Sequence, residues 1–275
     1  MFASGILKWL TVLVYATAPP SHFMDSRTTA PQPWFQVRRD SRARFRLFCF
    51  PYAGGSSSIY RPWTRHIHPD IEVVPALLPG RELRLRETAY TRLEPLVEAL
   101  TREILPLLDR PFALFGHSMG GIISFELARR LRLERGIEPE HLFISARRAP
   151  QLPQQDPEIH NLPDAEFLAE IQQLNGSPKE VLEHAELMKL LLPMLRGDFA
   201  IVRTYTYVPG PPLKCPITLI GGTSDDTATQ AKLEGWCVQT TGRCRVRMLA
   251  GDHFFINQQQ AAVLRIIEDT LLARV

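Results

Sequence analysis

Cysteine is scarce in this chain of 275 residues: there are four, Cys49, Cys215, Cys237 and Cys244, with no CxxC pair among them. That spacing argues against zinc and redox motifs, and reduced thiols in a cytoplasmic enzyme are the expectation. An excess of charge is missing as well. Lys and Arg number 32 against 29 Asp and Glu, a formal net charge of +3, too balanced to point to nucleic acid or an anionic membrane as partner. No apolar run is long enough to cross a bilayer: residues 6–18 (ILKWLTVLVYATA) amount to 13, where about 20 are needed. Internal repeats and low-complexity tracts are absent. What remains is ordinary globular material, 45% hydrophobic and 22% charged. It rules out wholesale disorder and leaves room for one α/β domain with a tail.

The first 30 residues stand apart. Residues 6–18 look like a secretory h-region ending in Ala16-Thr17-Ala18, an A-x-A-like site, yet no basic residue precedes Lys8, which itself interrupts the run. The readings in competition are a signal peptide, an anchor, and a tail or extension upstream of a start at Met24. The extension is favoured, with the catalytic domain expected over residues 31–275.

From residue 45 the pattern becomes regular. Short apolar runs occur at Phe45–Phe50, Ile71–Pro75, Phe112–Phe115, Leu142–Ser145, Ile217–Ile220 and Val246–Leu249. Most lack strict alternation, as strands buried on both faces do. Between them apolar residues recur at three- and four-residue steps: Leu93, Leu96, Val97, Leu100, Ile104, Leu107; then Ile122, Phe125, Leu127, Ala128, Leu131; and finally Ala262, Val263, Ile266, Ile267, Leu271. Strands alternating with helices imply right-handed βαβ units, hence an α/β class with a mostly parallel sheet. Residues 150–212 break the alternation. They hold helical periods at Asp164–Leu174, Glu186–Leu195 and Asp198–Tyr205, bracketed by prolines, and read as an inserted helical lid.

Gly116-His117-Ser118-Met119-Gly120 follows the run FALF and opens an amphipathic helix. G-x-S-x-G between strand and helix is the nucleophile elbow of α/β-hydrolases. A serine on so sharp a turn needs neighbours without side chains, and the helix N-terminus offers free N–H groups to a developing oxyanion. Ser118 is therefore the candidate nucleophile.

A serine of ordinary pKa needs a base, and histidine suits neutral pH. Of the eight histidines, His253 in Ala250-Gly251-Asp252-His253-Phe254-Phe255 lies between the last strand and the last helix, where the order Ser…Asp…His puts the base. His117 should point away from the attack line. His22, His66, His68, His141, His160 and His184 fall on helix ends, loops or the tail, where solvated histidines are the norm. The acid should leave the sheet after ITLI, in Gly221-Gly222-Thr223-Ser224-Asp225-Asp226. Asp225 is favoured by its G-x-x-D placement, with Asp226 the alternative; the other is expected to cap a helix over residues 227–238. Asp252, adjacent to the base, reads as a turn former. The loop Phe50-Pro51-Tyr52-Ala53-Gly54-Gly55-Ser56 after the first strand lets backbone N–H groups approach a carbonyl beside the N–H of Met119, making a two-donor oxyanion hole. No GK[ST] and no G-x-G-x-x-G supports a phosphate-cradling alternative there.

Together FPYAGGS, LPGRELRLRE, GHSMGG, the helical stretch ending YTYVPGPPLKCPIT, and GDHFFI resemble type II thioesterases, the stand-alone editing enzymes of nonribosomal peptide and polyketide synthesis and relatives of the medium-chain fatty-acid thioesterase. The likeness spans about residues 32–272. It implies the α/β-hydrolase fold and a triad of Ser118, His253 and Asp225, with the N–H groups of Ala53 and Met119 as oxyanion donors. It implies hydrolysis of acyl thioesters from the phosphopantetheine arm of a carrier protein, as in siderophore- or antibiotic-type pathways, without metal or cofactor, by a cytoplasmic monomer that binds neither nucleic acid nor membrane. Relatives often have proline after the triad aspartate, where this chain has Asp226. The stretch Arg81–Arg86 reads either as a basic rim that docks an acidic carrier or as a charged loop with internal ion pairs. Two rival functions share these motifs. A secreted ester lipase would be favoured by a cleaved N-terminus, and a hydrolase-fold scaffold with a dead site is disfavoured by the intact Ser118, His253 and aspartates.

Overall fold

The six apolar runs pair into a single parallel sheet. The computed structural model describes residues 33–38, 42–155, 158–174 and 185–273. The extension expected over residues 1–30 lies outside them, as do His22, His184 and part of the expected lid. The strands are β1 (Phe45–Phe50), β2 (Ile71–Pro75), β3 (Phe112–His117), β4 (His141–Ser145), β5 (Ile217–Gly222) and β6 (Cys244–Leu249), in spatial order β2-β1-β3-β4-β5-β6. Each inner strand is buried at every position, which is why its sequence runs apolar instead of alternating. Edge strand β6 alternates half-buried with exposed residues over most of its length.

Successive residues of a strand face opposite sides of the sheet, so two cores form. Phe48, Phe50, Leu114, Ile144 and Leu219 join one, with helices α1 (Leu93–Ile104) and α2 (Met119–Arg135); Leu47, Cys49, Phe115, Phe143 and Ile220 join the other. Burying each such Leu, Ile or Phe side chain contributes roughly 1.5–3 kcal/mol. At the β1–β2 pair, Arg46 and Glu72 lie in register and form a buried ion pair at 3.0 Å.

Between β4 and β5 the described residues form two helices, α3 (Asp164–Gln173) and α4 (Ala185–Thr204), and no strand. The two helical periods expected over 186–205 are one continuous helix, with Pro193 and Gly197 inside it. Phe167 and Ile171 of α3 pack with Met188, Met194 and Leu195 of α4 in a small core of their own. Past β5 come a short helix α5 (Gln230–Glu234) and a 3-10 turn, Gly235–Gln239; past β6 comes α6 (Gln260–Leu272), whose Val263, Ile267 and Leu271 close the second core. Among the described residues no helix is long and apolar enough to cross a membrane.

One cysteine expectation fails. Cys237 and Cys244 form a disulfide across a seven-residue separation that ties the 3-10 turn to the start of β6, while Cys49 and Cys215 are buried free thiols. The connecting turn brings the two sulfurs together, a proximity that spacing without a CxxC motif does not announce.

Candidate active site

Parallel strands end on the same edge of the sheet, and the loops leaving that edge carry every candidate residue. Ser118 directly follows β3, at φ 54 and ψ −110, a conformation that few residues with side chains adopt. The flanking glycines are what permit it. A Cβ on Gly116 would lie 1.9 Å from the carbonyl oxygen of Gly120, and one on Gly120 would lie 2.0 Å from that of Phe50. The Ser118 N–H donates to the carbonyl of Ser145 at 2.8 Å, which pins the turn to β4.

His253, in the loop after β6, brings Nε2 to 2.9 Å from the Ser118 Oγ and Nδ1 to 2.8 Å from Oδ2 of Asp225. Of the two adjacent aspartates, Asp225 is thus the one joined to His253; Asp226 is exposed and uses its carbonyl to accept from Lys232. The other oxygen of Asp225, Oδ1, accepts from the Thr227 N–H at 2.9 Å and its hydroxyl at 2.6 Å. Burial alone would raise the Asp225 pKa, but hydrogen bonding and charge from His253, with the two Thr227 donors, outweigh it and hold the carboxyl at about 2. The helix expected over 227–238 starts later, at Gln230, with no side-chain cap. Asp225 itself caps the intervening turn, so its neighbour has no capping work. Asp252 makes an Asx-type turn, accepting the Phe254 N–H at 2.8 Å.

Residue Met119 is the first residue of α2, and the N–H there has no intrahelical acceptor. Among the described residues the N–H of Ala53 has no acceptor either, whereas its neighbours are engaged: Gly54 donates to Asp198 at 2.8 Å and Gly55 to the Tyr52 carbonyl at 2.8 Å.

The ring of His117 turns away from Ser118, fully buried, with Nε2 2.8 Å from the His253 carbonyl and Nδ1 2.9 Å from Ser145 Oγ. A carbonyl only accepts, so Nε2 carries the proton and Nδ1 accepts from the Ser145 hydroxyl. Burial, then the nearby His253, lowers the His117 pKa to about 3; the ring is neutral.

Two expectations change. His141 is a buried strand residue bonded to Thr218 Oγ1 at 2.8 Å, not a solvated one. Arg81 and Arg84 are buried, so the stretch Arg81–Arg86 is no basic rim. Arg81 pairs with Asp198, and Arg84 pairs with Glu87 and stacks over Trp34 at 4.0 Å. Of the three arginines, Arg86 alone is exposed. Asp198, Ser145 and Thr227 support the site without having been singled out by the sequence. Asp198 carried a signal, since it lies on the apolar stripe of α4 with Met194 and Ile201, where a lone carboxylate demands a partner.

A family model described as thioesterase domain matches residues 45–271. Linear gramicidin dehydrogenase LgrE of Brevibacillus parabrevis is 46% identical over 90% of this chain and 96% of its own length. Gramicidin S biosynthesis protein GrsT of Aneurinibacillus migulanus is 44% identical over 85% and 92%. Among solved structures, the type II thioesterase BorB from the borrelidin biosynthetic cluster is 35% identical, covering 87% of this chain and 98% of that one, with a TM-score of 0.79.

Proposed function

The chain belongs to the thioesterase domain family and is a serine thioester hydrolase, and from that premise we propose that it is a type II thioesterase. Its substrates are aberrant or short acyl groups held as thioesters on the phosphopantetheine arm of carrier proteins in nonribosomal peptide or polyketide synthesis. The observation that carries the reading is the unbroken chain Ser118–His253–Asp225, with contacts of 2.9 and 2.8 Å.

In the mechanism we propose, Ser118 Oγ attacks the thioester carbonyl carbon while its proton passes to Nε2 of His253. Asp225 keeps Nδ1–H directed and stabilises the imidazolium. The oxyanion rests on the N–H groups of Ala53 and Met119, each donor lowering the barrier by roughly 3 kcal/mol. When the carbon–sulfur bond breaks, the imidazolium protonates the leaving thiolate. Water then gives a proton to Nε2 and its hydroxyl to the acyl carbon, and Ser118 recovers its proton as the acid departs. The helices between β4 and β5 act as the lid. The loop after β1 carries no G-x-G-x-x-G, so the dehydrogenase in the name of LgrE has no dinucleotide fingerprint to rest on here. The Cys237–Cys244 bridge removes the thiol argument for a reducing compartment; the cytoplasm is proposed instead from the carrier-bound substrate. The enzyme is taken to act as a monomer, with no role for nucleic acid or membrane.

Hydrolysis of acetyl- or propionyl-loaded carrier protein, compared with p-nitrophenyl esters, tests the reading. The carrier thioester should be preferred, and Ser118→Ala should lose about 10⁴-fold or more in kcat with its fold intact. A preference for the simple ester would favour the lipase instead, and more than a few per cent residual activity in Ser118→Ala would remove the serine from its role.

A further inference from the structure

The buried pair Arg81–Asp198 grips the loop that carries Ala53. Asp198 is 1% and Arg81 4% exposed. The guanidinium meets the carboxylate as a fork, Nη2 to Oδ1 at 2.7 Å and Nη1 to Oδ2 at 2.9 Å. The same Oδ2 accepts the Gly54 N–H at 2.8 Å, and the same Nη1 donates to the Gly55 carbonyl at 2.8 Å. The next residue, Glu82, accepts the Ser57 N–H at 3.1 Å from a backbone held at φ 51, a conformation that residues with side chains rarely adopt. Gly54 is itself at φ 78, and a Cβ there would meet Leu195 of α4 at 2.8 Å. Two separate segments, residues 81–82 and α4, therefore converge on residues 54–57, and the second is the helix assigned to the lid.

Stability alone is a poor account of this pair. A buried ion pair is often no more stabilising than apolar side chains of equal volume; what a forked Arg–carboxylate pair adds is direction. We propose that Arg81 and Asp198 are positioning residues for thioester hydrolysis: through Gly54 and Gly55 they hold the Ala53 N–H at the oxyanion site and tie that site to α4. Neither touches the reacting atoms. The proposal rests on the reading of Ala53 as an oxyanion donor. It couples the two parts of the machinery, because α4 cannot shift at Asp198 without carrying the oxyanion loop along.

The test compares Asp198→Asn, which keeps an oxygen for Gly54 but breaks the fork, the double variant Arg81→Gln/Asp198→Asn, which leaves no unpaired charge, and Arg81→Lys, which keeps both charges but loses the planar fork. Each is assayed for kcat and KM on acyl-loaded carrier. Each is also titrated with a trifluoromethyl ketone analogue of the thioester and with a thioether analogue. Ser118 Oγ adds to the ketone carbon, its proton passing to His253, and the hemiketal oxyanion occupies the hole; the thioether forms no oxyanion. Folding is followed by thermal melting, and the variants that melt cooperatively are the ones compared; Arg81→Lys supplies the measurement if the neutral variants do not fold. The expected result is a fall in kcat of about 30- to 300-fold, somewhat less than the outright loss of an oxyanion donor, roughly 100- to 1000-fold, would give. The trifluoromethyl ketone should weaken in parallel, while KM and thioether affinity stay within about 3-fold. A folded variant with kcat within about 3-fold of the parent overturns the proposal, as does equal weakening of both analogues. An inactive parent protein would instead overturn the thioesterase reading itself.

Discussion

Neutral His117 shows how one side chain works for another without joining the chemistry. Its Nε2–H holds the carbonyl of His253, 136 positions away in the chain, and thereby sets where the base sits relative to Ser118. With a pKa of about 3 against an ordinary value near 6.5, the ring stays unprotonated in the folded protein while the unfolded chain takes up a proton below pH 6.5. Stability is therefore complete above pH 6.5 and falls as the pH drops toward 3, by up to roughly 1.4 kcal/mol per unit from this residue. Urea unfolding at pH 7, 6 and 5 should show a shallower decline for His117→Asn than for the parent, alongside a loss of about 1 kcal/mol at pH 7 for the missing hydrogen bond. Identical slopes would mean that His117 does not titrate as described. The sequence indicated that this ring avoids the attack line. Its hold on His253 was not legible, because the contact exists only once β3 and the loop after β6 lie side by side.

At the level of elements, strands were the most readable feature, since burial on both faces writes itself as a mostly apolar run, broken in β1 and β2 only by the paired Arg46 and Glu72; both strands begin and end where their runs do. Helix boundaries were less so. The expected periods Glu186–Leu195 and Asp198–Tyr205 are joined in α4, where packing of Met194, Leu195 and Ile201 carries the helix through Gly197 despite its low local preference. The basic reading of Arg81–Arg86 failed because charge in a sequence says nothing of burial, and two of those guanidinium groups have partners in other segments. The turn after β5 was half legible: G-x-x-D marked Asp225, while the capping contacts from Thr227 depend on the turn's final shape. Those contacts make a clear contrast between neighbours. Asp225→Asn should lower kcat by about 10³- to 10⁴-fold, since an amide favours the wrong imidazole tautomer, whereas Asp226→Asn, altering an exposed side chain, should leave kcat within about 2-fold. Steady-state kinetics on loaded carrier measure both, and a larger loss in the second variant would reverse the assignment.

For the whole molecule, parallel strand order does the gathering. The loop after β1 brings Ala53, the turn after β3 brings Ser118 and Met119, the turn after β5 brings Asp225, and the loop after β6 brings His253, all to the carboxyl edge of one sheet, the edge at which open α/β sheets bind their ligands. Ser118 and His253 are 135 positions apart in sequence and 2.9 Å apart in space. In the proposed mechanism an acyl group passes from carrier sulfur to Ser118 before water takes it. Rapid-quench intact-mass analysis of the enzyme mixed with propionyl-loaded carrier, followed by peptide mapping, addresses that transfer most directly. A transient mass increase of one propionyl group is expected on the peptide containing Ser118, absent in Ser118→Ala. Acylation of another residue, or full hydrolysis by Ser118→Ala, would contradict it.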